Sequence, residues 1–421
     1  MKKSLLAIAA IGAFASAAQA QSSVTVYGIL DVGYIGENTR ASTSANRTTA
    51  PTTANGSLKS TGNQFGQSAE QSSRLGFKGT EDLGGGTSAL FTVEVDLAPS
   101  TGTTVMPGST RQAFVGLKKN GLGMGAVGTQ YTGIHNAVAA TDPGQTNNMM
   151  GNVIYPRASG SAAAPTADSA TSGTTVSYTV RTANTLTLQS DNFAGFSAGA
   201  MLVANNRNDT QTTTTVGNTT TTTGGLTNQN GWGLNANYTL QKFYVTAAYQ
   251  AFTSKNDNAT VVTTTAANGA TVTSPTPAIW SAATGGSNIR DNQFYAGATY
   301  DFGILKAYAQ YVARKASVQQ NSGNYIKRNA EQIGVRSYIT PTIEGWASIG
   351  MGKGNEFGVG APTVNFNGWQ LGSNYYLSKR TNLYAIYGQT QTSNGTVGNG
   401  AAAVSTSYGG SNYAVGVRHT F

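Results

Sequence analysis

The sequence predicts an all-β fold: sixteen antiparallel strands closed into a transmembrane β-barrel, with short periplasmic turns at one end and long extracellular loops at the other. Three observations predict it. Strand-like segments alternate with period two, an apolar face backing onto a polar, charged one. The connections between them alternate strictly between very short and very long. The composition is that of a chain without a bulky core: 53 Gly where average usage would give roughly 29, 20 Tyr, 10% charged residues and no Cys.

Taken from the N-terminus, "MKKSLLAIAAIGAFASAAQA" carries Lys2 and Lys3, an apolar run from Leu5 to Ala18 and Ala18-Gln19-Ala20. It reads as a secretory signal peptide over 1–20, cleaved after Ala20. The run is too short to span a bilayer, and no later window reaches the ~18 apolar residues a transmembrane helix needs. The barrel is therefore assigned to 21–421. Formal charge is +9 and becomes +7 once Lys2 and Lys3 are removed, since 1–20 holds no Asp or Glu. The cations are scattered, without a Lys/Arg run or a nucleic-acid module, so nucleic acid is not expected as a partner. The absence of Cys excludes a disulfide framework and thiol–metal chemistry.

The first strand, "SVTVYGILDVGY", puts Val24, Val26, Leu30, Val32 and Tyr34 on one face and Thr25 and Asp31 on the other. "RLGFKGT" sets Leu75 and Phe77 against Arg74, Gly76 and Lys78. "ALFTVEVD" sets Phe91, Val93 and Val95 against Thr92, Glu94 and Asp96. "ILKAYAQYVAR" sets Leu305, Ala307, Ala309 and Tyr311 against Lys306, Tyr308, Gln310 and Arg314. The apolar face is thin, often Ala or Gly. A sandwich core would need bulk there to fill ~10 Å between sheets, whereas a lipid-facing wall needs only to be apolar. The charged face belongs to no dry core, so it is expected to meet water inside the barrel. Tyr27, Tyr34, Tyr300, Trp369, Tyr375, Tyr376 and Tyr413 fit interfacial girdles.

Tight turns are read at 82–86, 119–121, 191–195, 240–242, 301–303, 340–342 and 378–380, where Gly, Pro, Asn and Asp supply the chemistry. Long polar connections lie at about 37–68, 99–108, 132–178, 206–229, 254–289, 317–325, 355–365 and 393–410. Seven turns and eight loops make fifteen joints, hence sixteen strands with both ends on the short-turn side. Thr-rich 210–223 and 260–276 read as solvated, flexible loop. In hydrocarbon an open sheet edge costs several kcal/mol per unpaired group, so the last strand, "SNYAVGVRHTF", must pair with 23–36. On that strand Tyr413, Val415, Val417, His419 and Phe421 share the apolar face.

Motifs for chemistry are weak. Gly123, Gly125 and Gly128 have GxGxxG spacing, but "TQYTG" and a long loop follow instead of a helix and an acidic residue. No GxSxG, HExxH or Walker sequence occurs, so neither an enzyme nor a bound cofactor or metal is expected. His135 and His419 are the only histidines, at the root of the third loop and on the outward face near the rim. An outer-membrane barrel with an adhesion or specific ligand-binding role is the alternative reading.

"SSVTVYGILDVG", "SSRLGFKGTEDLGGG" (72–86), "RQAFVGL" (111–117), "LSKRTNLYAIYG" (377–388) and terminal "VGVRHTF" (415–421) together resemble the general trimeric porins of Gram-negative beta-proteobacteria. The resemblance covers essentially the whole chain after residue 20. It implies a homotrimer in outer-membrane lipid and lipopolysaccharide, passing small hydrophilic solutes by diffusion. It implies an inward-folded third loop, here 132–178, and a C-terminal strand whose Tyr413 and Phe421 are read by the assembly machinery. Arg74 and Arg181 match arginines that family members set opposite that loop. Lys78, Asp142 and Asp168 are further candidates at the constriction; each aspartate either faces the basic wall, setting a transverse field, or stands in solvent. Lys118, Lys306, Arg314, Arg328 and Arg336 share inward parity as lumen-facing cations. Departures from the family pattern are Gly128-Thr129 for a usual Gly-Arg, Thr110 in place of a further basic residue, and Ser190-Asp191 for Ser-Pro. They imply a weaker arginine cluster.

Overall fold

The structure, a computed structural model, describes residues 23–45, 56–100, 110–156, 177–216, 219–256, 263–265, 271–273, 287–319, 325–356, 363–397 and 404–421. The proposed signal peptide 1–20 lies outside these residues.

The described strands are β1 Ser23–Ala45, β2 Gly56–Gln67, β3 Arg74–Gly84, β4 Thr87–Asp96, β5 Thr110–Lys119, β6 Gly123–Tyr131, β7 Arg181–Ser190, β8 Phe196–Val216, β9 Thr219–Leu240 and β10 Phe243–Asn256. They continue with β11 Thr263–Thr265, β12 Thr271–Thr273, β13 Ser287–Asp301, β14 Lys306–Val318, β15 Tyr325–Tyr338, β16 Ile343–Glu356, β17 Thr363–Tyr376, β18 Thr381–Val397 and β19 Val404–Thr420. All belong to one antiparallel sheet. β11 and β12 form a small hairpin beside the top of β9. β2 and β3 pair with successive stretches of β1, so they are one stave interrupted at 68–73. Sixteen wall staves remain among the described residues, as the count of joints requires.

The ring closes through β1 and β19, from Ile29↔Thr420 up to Ala45↔Val404. Phe421 seals the seam: Gly28 N donates to its carbonyl at 3.0 Å and its own N donates to Gly28 O at 3.1 Å. All seven tight turns fall where the sequence places them, each between consecutive strands of the wall. The long connections are partly different. Residues 37–68 are mostly the β1–β2 hairpin, paired from Val32↔Gln67 to Thr43↔Gly56. Thr-rich 210–223 is also paired, from Thr212↔Thr223 to Val216↔Thr219, so its described backbone is strand. Threonine is β-branched and favours extended backbone; reading these residues by polarity alone missed that.

Burial runs opposite to that of a soluble protein. Outward residues such as Val24 (66%), Val115 (62%) and Ile333 (62%) are exposed, while Gln250, Gln293, Gln332 and Gln370 are fully buried. The apolar cluster of Ile134, Val138, Val153, Ile154, Tyr178, Tyr295, Val312 and Phe366 lies inside the barrel, between the wall and the third loop.

Candidate functional site

The third loop enters the lumen as helix α1, Gly133–Thr141. Thr132 caps it: its backbone is extended (φ −75°, ψ 160°) and its Oγ1 accepts from His135 N at 3.2 Å. The same hydroxyl donates to Thr179 O at 2.7 Å, tying the loop's entrance to its exit. α1 packs on β9, β10, β13 and β14. The chain then runs along the inner wall past β15–β19 to the interruption between β2 and β3. There Asn148 N donates to Ala69 O at 3.0 Å, and Asn148 Nδ2 donates to Ser68 O at 2.7 Å. Asp31 shapes that interruption, its carboxylate accepting from Glu70 N, Gln71 N and Tyr384 OH at 2.6–2.8 Å.

A row of inward glutamines fastens the loop, because an amide both donates and accepts. Gln293 Oε1 accepts from Thr179 N at 2.6 Å and Gln250 Nε2 donates to Thr179 O at 3.2 Å. Gln332 Oε1 accepts from Val153 N at 3.1 Å. Gln370 Nε2 donates to Met149 O at 3.0 Å and Met150 O at 2.8 Å. Their inward parity was visible in the sequence; the backbone they would meet was not.

Across from this anchored path, three arginines come from β3, β5 and β7. Arg111 Nε donates to Glu94 Oε1 and its Nη1 to Asp96 Oδ1, both at 2.7 Å; its Nη2 donates to Tyr131 OH at 2.6 Å. Arg74 stands 3.8 Å from Glu94. Arg181 opens β7 opposite Tyr131, half-buried and without an ion pair among the described residues. Lys78, two inward positions below Arg74, is exposed, with Nζ 5.4 Å from the centre of the Tyr27 ring.

Strict alternation would have turned Arg111 outward with Ala113 and Val115. A bulge between the pairs Glu94↔Gln112 and Val95↔Thr110 inserts one residue and returns Arg111 to the lumen. So Thr110 faces out, and the basic position it was expected to leave empty is filled by its neighbour. His135 registers the cluster from below. Burial, then the charges of Arg111, Arg181 and Arg74, push its imidazole down to about 3. It stays neutral, stacked 4.5 Å from the Tyr131 ring, with Nδ1 3.2 Å from Tyr178 OH.

Other expected site residues are placed differently. Asp142 does not face the basic wall. It caps the C-terminus of α1 and is 2% exposed, its oxygens accepting from Gly144 N, Thr146 N, Asn152 Nδ2 and Gln332 Nε2. Burial raises its carboxyl to about 6. Asp168 lies outside the described residues. Arg314, Arg328 and Arg336 point inward and are engaged there: the first by a wall carboxylate, the other two by the loop. Arg314 pairs with Asp291 at 2.7 Å. Arg336 pairs with Glu344 and donates to Pro143 O at 2.7 Å. Arg328 donates to Ser177 Oγ and Val153 O and lies 3.9 Å over the Phe366 ring. Arg328 and Arg336 thus fasten the loop, while Arg314 is paired with a buried carboxylate of the wall; an unpaired charge at any of the three would carry the full desolvation cost. Lys118 and Lys306 lie near the short turns, half-buried, the latter 5.4 Å from the Tyr308 ring centre.

A closed wall, apolar outside and polar inside, with a loop fastened within its lumen, defines the class: an outer-membrane β-barrel. The sequence profile of the Gram-negative porin family matches residues 7–395, and the chain belongs to that family. It is 36% identical over 160 residues to an outer membrane porin protein of Bordetella pertussis, covering 36% of this chain and 40% of that protein. It is 38% identical over 122 residues to outer membrane porin protein 32 of Delftia acidovorans, covering 28% and 29%. The matched segments thus span 40% or less of these relatives' length. The fold is similar to that of an anion-selective porin from Comamonas acidovorans (TM-score 0.61, 20% identity, 95% of this chain and 100% of that one). It is also similar to the trimer form of OmpT of Vibrio cholerae (TM-score 0.54, 14% identity, 95% and 99%).

Proposed function

We propose that this chain forms a water-filled channel through the outer membrane for passive diffusion of small hydrophilic solutes and ions, with a mild preference for anions. One observation carries the preference. Arg74, Arg111, Arg181 and Lys78 project from the wall opposite the anchored loop against two carboxylates, Glu94 and Asp96. Arg111 is matched by those carboxylates, which leaves Arg74, Arg181 and Lys78 to bias passing ions by fixed charge, without chemistry. The family supports a homotrimer, and the Comamonas porin's anion selectivity agrees in sign. The seam that Phe421 closes, with Tyr413 on the same outward face (43% exposed), supports the assembly machinery as the reader of this strand.

Reversal potential across a planar bilayer under a salt gradient tests the reading. Wild type gives a modest excess of anion over cation permeability. Arg74→Ala with Arg181→Ala lowers that ratio at unchanged unfolding temperature. A cation-preferring wild type refutes the proposal, and an unaltered ratio in the double variant removes these two residues from it.

A further inference from the structure

From the sequence Tyr27 reads as a girdle residue, but the structure turns it into the lumen, where its hydroxyl donates to Glu94 Oε2 at 3.0 Å. Tyr27 pairs across strands with Gly76 of β3, and its ring lies over that glycine. A Cβ on Gly76 would stand 2.2 Å from Tyr27 Cζ and 2.5 Å from Cε1. Glycine there leaves room for the ring to settle against the β3 backbone. The ring is half-buried, with its other side toward the lumen. Among the described residues no second ring stacks on it. Tyr131, beside the same arginines, has the His135 ring 4.5 Å away.

Cations stand at both ends of this ring. Arg74 and Lys78 are the inward neighbours of Gly76 along β3, about 13 Å apart along the strand. Lys78 Nζ lies over the ring, 5.4 Å from its centre. Arg74 stands 3.8 Å from Glu94. That carboxylate is 3% exposed and already accepts from Arg111 Nε at 2.7 Å and from Tyr27 OH. The lumen therefore meets an aromatic face between two cations, and the negative charge beneath it is covered.

We propose that this platform favours planar aromatic carboxylates among the anions that pass. The ring of such a solute stacks on Tyr27 while its carboxylate accepts from Arg74 or Lys78. Lys78 is exposed and sits on a flexible stem, so its ammonium follows the carboxylate when the solute's ring takes the face of Tyr27. An aliphatic acid of equal charge meets the same cations but leaves the Tyr27 ring in water. An aromatic cation is repelled by both ends. Stacking favours the aromatic acid by about two- to tenfold, weak enough for the solute to leave, as conduction requires. The proposal rests on the channel reading and names a solute class for it.

The test compares benzoate with cyclohexanecarboxylate at neutral pH. The two are alike in size and both ionised, and only benzoate has a π-face. Chloride current through the full-length protein in planar bilayers is titrated with each acid. Benzoate half-blocks the wild-type current at an about two- to tenfold lower concentration. Tyr27→Leu abolishes that difference and Tyr27→Phe keeps it, while Lys78→Gln weakens the block by both acids and preserves their ratio. Equal half-blocking concentrations in wild type overturn the proposal, and so does a benzoate advantage that survives Tyr27→Leu. Saturation-transfer NMR on the refolded protein in detergent reads binding without current. Chloride conductance with no benzoate preference sinks the platform and leaves the channel standing. A protein that conducts no chloride yet binds benzoate more tightly than cyclohexanecarboxylate does the reverse.

Discussion

Gly388→Ala is the sharpest probe of how the third loop is held. Gly388 faces the lumen on β18, and the loop's backbone lies directly on it. A Cβ added there would stand 1.8 Å from Met150 O. Side-chain carbons do not approach closer than 3.0 Å, so the loop must retreat by about 1.2 Å, or β18 must yield. β18 is paired on both edges, so the loop moves. Its retreat breaks contacts that hold the segment: Gln370 Nε2 to Met149 O and Met150 O at 3.0 and 2.8 Å, and Met150 N to Asn412 Oδ1 at 3.0 Å. Losing these three buried bonds and overpacking the contact together cost about 3–7 kcal/mol of loop docking. The wall ladder is untouched, so the barrel still folds. Single-channel recordings of Gly388→Ala show a smaller and noisier conductance, because the loop can move only toward the pore axis. Gly62→Ala, where an added Cβ has no atom within 4 Å, behaves as wild type. A Gly388→Ala channel with wild-type conductance and noise would refute the reasoning.

Two further predictions follow from the loop and the seam. His135 is held at about 3 in the folded loop against an ordinary 6.5, so its stabilising contribution is present above pH 6.5 and is lost as pH falls toward 3. Docking weakens by roughly 2–3 kcal/mol at pH 4.5. Asp142 acts with the opposite sign: raised to about 6, it favours the docked loop as pH falls below 6, by about 2 kcal/mol at pH 4.5. The two nearly offset each other, so current noise in wild type changes little between pH 7 and pH 4.5, whereas in His135→Gln it falls; an equal change in both would exclude the imidazole. Phe421→Ala keeps both backbone bonds to Gly28 but loses the ring packed beside that glycine. It refolds in detergent with little change in unfolding temperature, yet its yield in the outer membrane falls several-fold, read by surface labelling of cells; a wild-type yield denies the ring a role in assembly.

What the sequence determined by itself was everything that depends on neighbours along the chain. Period two sorts Val24 from Thr25 and Phe91 from Thr92, because successive side chains of a strand point to opposite faces. Gly, Asn, Asp and Pro mark the tight turns at 82–86 and 340–342 because those backbones need them. Sixteen staves, both ends on one rim and the pairing of the last strand with the first follow from that grammar and from the cost of an open edge in lipid. Parity says that a side chain points inward; it does not say what it meets there. Only the tertiary structure decided that Arg314, Arg328 and Arg336 meet the third loop or a buried carboxylate, while Arg74 stands beside Glu94 and Arg181 opposite Tyr131. Only the tertiary structure turned Asp142 into a cap held by Gln332, 190 residues away. Arg111 shows the limit most directly. A one-residue bulge, fixed by how β4 and β5 align, moved it from the lipid face to the lumen, and a rule that counts in twos has no means of registering a single inserted residue.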